Sequence, residues 1–222
     1  AEPGRTRELC EAMIRAGLPE RIHWLCETRV DKAAPELLAC MKKAGCTHVS
    51  FGIESGDQHV LDMNRKGTTL EQARNAVSRA KAAGLQVDTY FILGLPYDTM
   101  ESLRRTRCFA LELNPDFANF FILVPYPGTI AMKMAEQGKA NLKLLTRDWS
   151  QYGIQMGGAM ELKDVSRSKL ERFQLSSYLM FYLRPGKWKS LLRIVKFSAL
   201  PAYAYHLLTG LFRARNRVKA GA

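Results

Sequence analysis

A chain of 222 residues, 47% hydrophobic and 24% charged, has material for one sizeable core, and that balance suits neither intrinsic disorder nor a disulfide scaffold. Its net charge of +12 is concentrated in the tail: residues 1–144 carry 19 Lys and Arg against 17 Asp and Glu, and residues 145–222 carry 14 against 4. No basic cluster followed by an apolar run opens the chain, and its longest apolar tail stretch, residues 197–212, falls short of the roughly 20 residues a bilayer needs and contains Pro201 and His206.

The periodicity predicts a helix over 5–16, stopped by Gly17, as though it belonged to a unit whose strand lies upstream of residue 1. A first strand is predicted over 22–27. A helix over 34–44 follows, with Leu37, Leu38 and Met41 on one face and Gly45 closing it. The second strand covers 48–54, and the next helix, 69–83, has Thr68 or Thr69 as its cap, Glu71 in its first turn and Gly84 as its stop. A third strand, 86–93, leads to a helix over 100–113 that Asn114 and Pro115 end, and a fourth strand covers 117–124.

Strand and helix alternating at this spacing is the pattern of parallel βα units, in a barrel or a doubly wound sheet; periodicity alone does not choose between them. Beyond Gly128 the pattern changes to a helix over 129–136, a connector containing Asp148, Trp149, Tyr152, Gly157 and Gly158, a helix over 166–183, and a last segment from Lys187. After Glu171 no acidic residue occurs, while Arg184, Lys187, Lys189, Arg193 and Lys196 interleave with Trp188, Leu191, Leu192 and Phe197. The expected domains are 1–144, a barrel portion, and 145–222, a basic helical extension.

In parallel βα folds ligands bind at the carboxyl ends of the strands. There the sequence places Cys26 to Asp31, Phe51 to Asp57, Phe91 to Thr99 and Val124 to Thr129, each an apolar strand end followed by polar residues or glycine. Glu54 can accept both hydroxyls of a ribose, Arg29 offers a planar fork for a carboxylate, and Gly94 lets a flat ligand approach the backbone. The competing structural readings are an ion pair between Arg29 and Glu54, and Asp98 as cap of the helix starting at Thr99 or Met100. Five cysteines, an odd number without framework spacing, suit a reducing cytoplasm. Cys40 and Cys46 read as a pair of small buried thiols at a helix end.

Taken in order, Cys-Glu-Thr-Arg-Val-Asp, Phe-Gly-Ile-Glu-Ser-Gly-Asp-Gln, Phe-Ile-Leu-Gly-Leu-Pro-Tyr-Asp-Thr-Met-Glu-Ser-Leu and Pro-Tyr-Pro-Gly-Thr resemble strands three to six of the radical S-adenosylmethionine (radical SAM) barrel, over residues 5 to about 136. Within that superfamily they are most similar to the enzymes carrying a cobalamin-binding domain, a group with methyltransferases of unactivated carbon and the anaerobic cyclase of chlorophyll biosynthesis. Phe-Tyr-Leu-Arg-Pro at 181–185 resembles the same group. Two departures are Tyr90, where the family often has glycine, and Asp98, where it has Glu.

The resemblance implies an α/β fold, a partial (β/α)6 barrel of the radical SAM type truncated at its amino end, with a helical carboxy-terminal extension. It implies S-adenosylmethionine and a [4Fe-4S] cluster as cofactors, with cobalamin a third in the parent protein. One electron from the cluster would split S-adenosylmethionine into methionine and a 5'-deoxyadenosyl radical, for methylation or rearrangement of an unactivated carbon. By position Glu54 and Ser55 would hold the ribose, Arg29 the methionine carboxylate, and Leu93, Gly94 and Leu95 with Val124 and Pro125 would bracket adenine. The family's cluster loop, Cys-x3-Cys-x2-Cys, does not occur among Cys10, Cys26, Cys40, Cys46 and Cys108, so the chain is read as truncated and inactive alone. Expected partners are a small-molecule or lipid-like substrate, an electron-donor protein, and a membrane surface met by the basic tail of a cytoplasmic protein, ahead of nucleic acid. The alternatives are a catalytically dead barrel kept as a binding module, and an enzyme modifying transfer RNA.

Overall fold

In the computed structural model, residues 2–155, 158–187 and 190 are described. Helix α1 (Pro3–Arg15) opens on the carboxylate of Glu2, which accepts from the amides of Gly4 and Arg5. Then follow β1 (Trp24–Thr28), α2 (Pro35–Lys43), β2 (Cys46–Glu54), α3 (Gln58–Met63), α4 (Leu70–Ala82), β3 (Gln86–Leu93), α5 (Met100–Leu113) and β4 (Phe117–Ile122). All four strands are parallel and lie in sequence order, the arrangement that right-handed βα crossovers produce.

Local signals account for most boundaries. Thr69 and Thr99 cap α4 and α5 in capping boxes with Gln72 and Ser102. Gly45 and Gly84 take the left-handed conformation that ends α2 and α4. The cap of α5 is therefore Thr99, and Asp98 is left for another task. Helix α3 was not expected: at six residues it is too short for periodicity to reveal, and it depends on Asp57, whose carboxylate accepts from the Val60 amide.

Each strand sorts its side chains between two faces. Val49, Phe51 and Ile53, then Val87, Phe91 and Leu93, then Ala118, Phe120 and Ile122 are fully buried, and Phe91 stacks on Phe120 at 5.5 Å. Against these pack the apolar stripes of the helices, such as Leu37, Leu38 and Met41 of α2 and Leu103, Phe109 and Ala110 of α5. Of the alternate positions, Gly52, Glu54, Asp88 and Tyr90 are only half-buried, while Ser50 is buried.

The connector after β4 holds more structure than its composition suggested. Helix α6 (Ile130–Glu136) leads to β5 (Leu142–Leu144), which pairs antiparallel with β6 (Met160–Leu162), and α7 (Arg167–Tyr182) follows. Side chains of α7 seal the edge of β4. The Phe120 amide donates to the Tyr178 hydroxyl at 3.0 Å, and Gln174 Nε2 donates to the carbonyls of Phe120 and Ile154 at 2.6 and 3.0 Å. An unpaired strand edge is thereby satisfied by residues one helical turn apart. The expected boundary after residue 144 falls between β5 and β6, and compact packing divides the chain into Ala1–Phe181 and Tyr182–Ala222.

Of the two small thiols expected to be buried at a helix end, Cys46 is buried but opens β2, and Cys40 on α2 is half-buried. Cys10 of α1 lies beside Cys40, and Cys26 of β1 beside Cys46. Burial first, then Cys40, pushes the Cys10 thiol up to about 11.

Candidate functional site at the strand ends

Glu54 ends β2 with φ 72°, in the left-handed region, where the pairing of β2 with β3 slips between Gly52 and Glu54. A side chain held there is strained, and such strain concentrates at working sites. Its Oε1 accepts from Lys66 Nζ at 2.8 Å, and both side chains are about one-fifth exposed, at 24% and 19%. Gly52 makes the pair possible: a Cβ there would lie 2.9 Å from Glu54 Oε1 and 3.4 Å from Lys66 Nζ.

Lys66 belongs to a turn after α3 that crosses the strand ends. Arg65 and Gly67 both have positive φ, 53° and 65°. Asn64 Nδ2 joins the carbonyls of Val60 (2.8 Å) and Pro96 (2.9 Å), tying the turn to the loop after β3. Arg29 ties it to the end of β1: Nη1 donates to the Lys66 carbonyl at 3.1 Å and Nη2 to the Gly67 carbonyl at 3.2 Å, while Nε donates to Asp31 Oδ1 at 3.0 Å. The anticipated Arg29–Glu54 ion pair therefore does not form; each takes a different partner.

The residues after Glu54 turn away from this mouth. Ser55 is 1% exposed, with its hydroxyl 3.2 Å from that of Thr106 and accepting from the Asp57 amide at 3.1 Å. Gly56 lies against α5, with its amide donating to Thr106 Oγ1 at 2.9 Å, and Asp57 pairs with Arg105 at 3.0 Å. Ser55 is thus a joint between β2 and α5.

The β3 loop is organised by Asp98. Its Oδ2 accepts from the amides of Gly94 (3.0 Å) and Leu95 (2.9 Å), and Ser102 Oγ donates to Oδ1 at 2.5 Å. Burial raises its pKa to about 6, against the pull of these bonds. Gly94 has φ 86°, so glycine is required. The space beside it is not open to a ligand, however: an added Cβ would lie 3.2 Å from Leu170 Cδ2 and 3.5 Å from Met160 Cε. Leu93, Leu95, Val124 and Pro125 are buried around it, and the Leu123 amide donates to the Leu93 carbonyl, carrying the sheet pairing into these loops.

Sequence reasoning missed Lys66 and Asn64, although a polar Asn-Arg-Lys-Gly turn after a capped helix was the available signal. Among the described residues no group of three His, Cys, Asp or Glu could hold a metal ion. Cys10, Cys26, Cys40 and Cys46 lie on four different elements and Cys108 is exposed on α5, so they do not fit a cluster that needs three converging thiolates.

Residues 3–110 match the family described as the Radical SAM superfamily. The chain is 37% identical over 164 residues to an uncharacterized methyltransferase of Pyrococcus horikoshii, covering 74% of this chain and 35% of that one. It is 32% identical over 179 residues to the anaerobic magnesium-protoporphyrin IX monomethyl ester cyclase of Cereibacter sphaeroides, covering 80% of this chain and 28% of that one. It therefore spans about a third of the length of these relatives. Among solved structures, the radical S-adenosylmethionine methyltransferase TsrM of Kitasatospora setae superposes with a TM-score of 0.54 at 18% identity, over 75% of this chain and 32% of that one. Coproporphyrinogen III oxidase of Escherichia coli does so with a TM-score of 0.56 at 16% identity, over 80% and 37%. These likenesses establish the fold as part of the same α/β barrel.

Proposed function

Because this chain belongs to the radical SAM superfamily, we propose that its strand ends bind the nucleoside and amino-acid ends of S-adenosylmethionine, for radical-based methylation of an unactivated carbon. The observation that carries this reading is Glu54: a carboxylate held in a left-handed conformation at a strand end, with one oxygen on Lys66. Among the described residues its other oxygen has no hydrogen-bond partner, and it is an acceptor for ribose hydroxyls. Lys66 spends one of its three ammonium protons on Glu54, which leaves donors for a carboxylate. The backbone of Leu93, Gly94 and Leu95, stiffened by Asp98, and that of Val124 and Pro125 bracket the adenine. Because Gly94 is covered on its open side, they do so through main-chain edges rather than a flat face.

Methylation is supported by the names of the relatives, among them methyltransferases at 37%, 31% and 27% identity. S-adenosylmethionine supplies the one-carbon or radical chemistry when bound. Among the described residues the cysteines do not fit the cluster, and cobalamin belongs to this reading only for the whole protein. The substrate is a small or lipid-like molecule and the electrons come from a donor protein, on the same reading.

The test is calorimetric titration of S-adenosylhomocysteine into the full-length protein and its Glu54→Ala variant. A loss of roughly tenfold or more, as for a charged acceptor of ligand hydroxyls, with an unchanged thermal midpoint is expected. Equal affinity of the two proteins, or no binding by either, overturns the reading.

A further inference from the structure

Arg29, the expected carboxylate-binding fork of this site, already directs four of its five guanidinium N–H groups to partners within the chain. Its guanidinium grips Asp31 through Nε at 3.0 Å, with Nη2 a weaker second contact at 3.4 Å, and delivers the outer nitrogens to two consecutive carbonyls, those of Lys66 and Gly67. A planar fork with donors on three sides is the side chain that can span a carboxylate and a turn at once; an ammonium cannot. What it spans is a turn with reason to move, since Arg65 and Gly67 both have positive φ and the side chain between them carries the charge opposite Glu54. Asp31 offsets the charge of Arg29, so a second cation can stand near Lys66 without driving it off.

We propose that Arg29 is a positioning residue: it holds the Lys66–Gly67 turn so that the Lys66 ammonium stays on Glu54, and it makes no contact with the ligand. The proposal rests on the strand-end site described above. It differs from a direct role in one measurable respect, because an effect transmitted through Lys66 disappears once the Lys66 ammonium is gone.

The experiment is a double-mutant cycle in the full-length protein, with S-adenosylhomocysteine affinity read by calorimetry for wild type, R29K, K66M and the double variant. R29K alone is expected to weaken binding about tenfold, the loss of charge-assisted bonds that order the turn, and the double variant is expected to bind no more weakly than K66M. Amide exchange at residues 64–68 should rise in R29K and stay unchanged in K66M. If R29K does not fold, D31N loosens the same guanidinium more mildly and enters the cycle in its place. Losses that add across the cycle, or a turn whose exchange R29K leaves unchanged, overturn the proposal while leaving the site intact. A wild-type protein that does not bind the probe overturns the site and this proposal with it.

Discussion

Lys66 Nζ donates to Glu54 Oε1 across the space that the missing side chain of Gly52 leaves open, and the two partners are twelve residues apart in sequence. Three positions thus form one device, in which a glycine two residues before the carboxylate decides whether the cation can reach it. A methyl group at residue 52 would meet only the far ends of flexible side chains. Gly52→Ala should therefore cost less than about 1 kcal/mol in thermal stability while weakening S-adenosylhomocysteine binding about tenfold. Calorimetric titration beside a melting curve checks this, and a lowered melting temperature with unchanged binding would contradict it.

Gly56 makes the opposite prediction. A Cβ there would come within 2.6 Å of Thr106 Cα and of Phe109 Cβ, and 2.9 Å of the Arg105 carbonyl, all rigid parts of α5. Gly56→Ala should push β2 off α5 and destabilise the protein by about 2 to 4 kcal/mol. Chemical denaturation gives the number; a change below about 0.5 kcal/mol would mean that the joint is not tightly packed.

Asp98 predicts a pH dependence. Its folded pKa, about 6, lies above the ordinary 3.8, because burial disfavours the carboxylate more than its hydrogen bonds favour it. The folded state therefore binds this proton more tightly than the unfolded chain does. The resulting stabilisation is complete below about pH 4 and is lost as pH rises through about 6. The contribution is on the order of 2 to 3 kcal/mol. Wild-type stability minus that of Asp98→Asn, measured by denaturation from pH 4 to pH 7, should fall by that order. A difference that is flat over this range would show that Asp98 is not protonated on burial.

The basic tail yields a prediction from sequence alone, since Trp188, Leu191, Leu192 and Phe212 lie outside the described residues. Each Lys or Arg near an anionic bilayer contributes about 1 kcal/mol, and nine follow Leu183. The full-length protein should co-sediment with anionic liposomes at low salt, and removal of the residues after Pro185 should abolish this. Replacing the four apolar residues by Ser should also abolish it if a membrane is the partner. Sedimentation that survives their loss, or that transfer RNA competes away, would point to phosphate binding.

The sequence by itself determined the order of the βα units and, to within two residues, where each strand ends, because these depend on neighbours. A capping hydroxyl with its partner three residues on, a glycine where φ must be positive and an apolar stripe at helical spacing are all local requirements, as Thr69, Gly45 and Gly84 illustrate. From the strand-end strings Glu54 was legible as a carboxylate closing the second strand. Its partner was not. Arg29, Asp31 and Lys66 are all charged and all near strand ends, and only the path of the turn after α3 assigns Lys66 to Glu54 and Arg29 to Asp31 and two carbonyls. In the same way the sequence marked Gly94 as a place where a flat ligand could approach the backbone, but only the packing of β6 and α7 placed Met160 and Leu170 over it, and only the approach of α5 turned Ser55 inward onto Thr106. Ion-pair partners and the contents of the space beside a glycine are set by contacts between elements distant in the chain, and such contacts exist only once the chain has closed on itself.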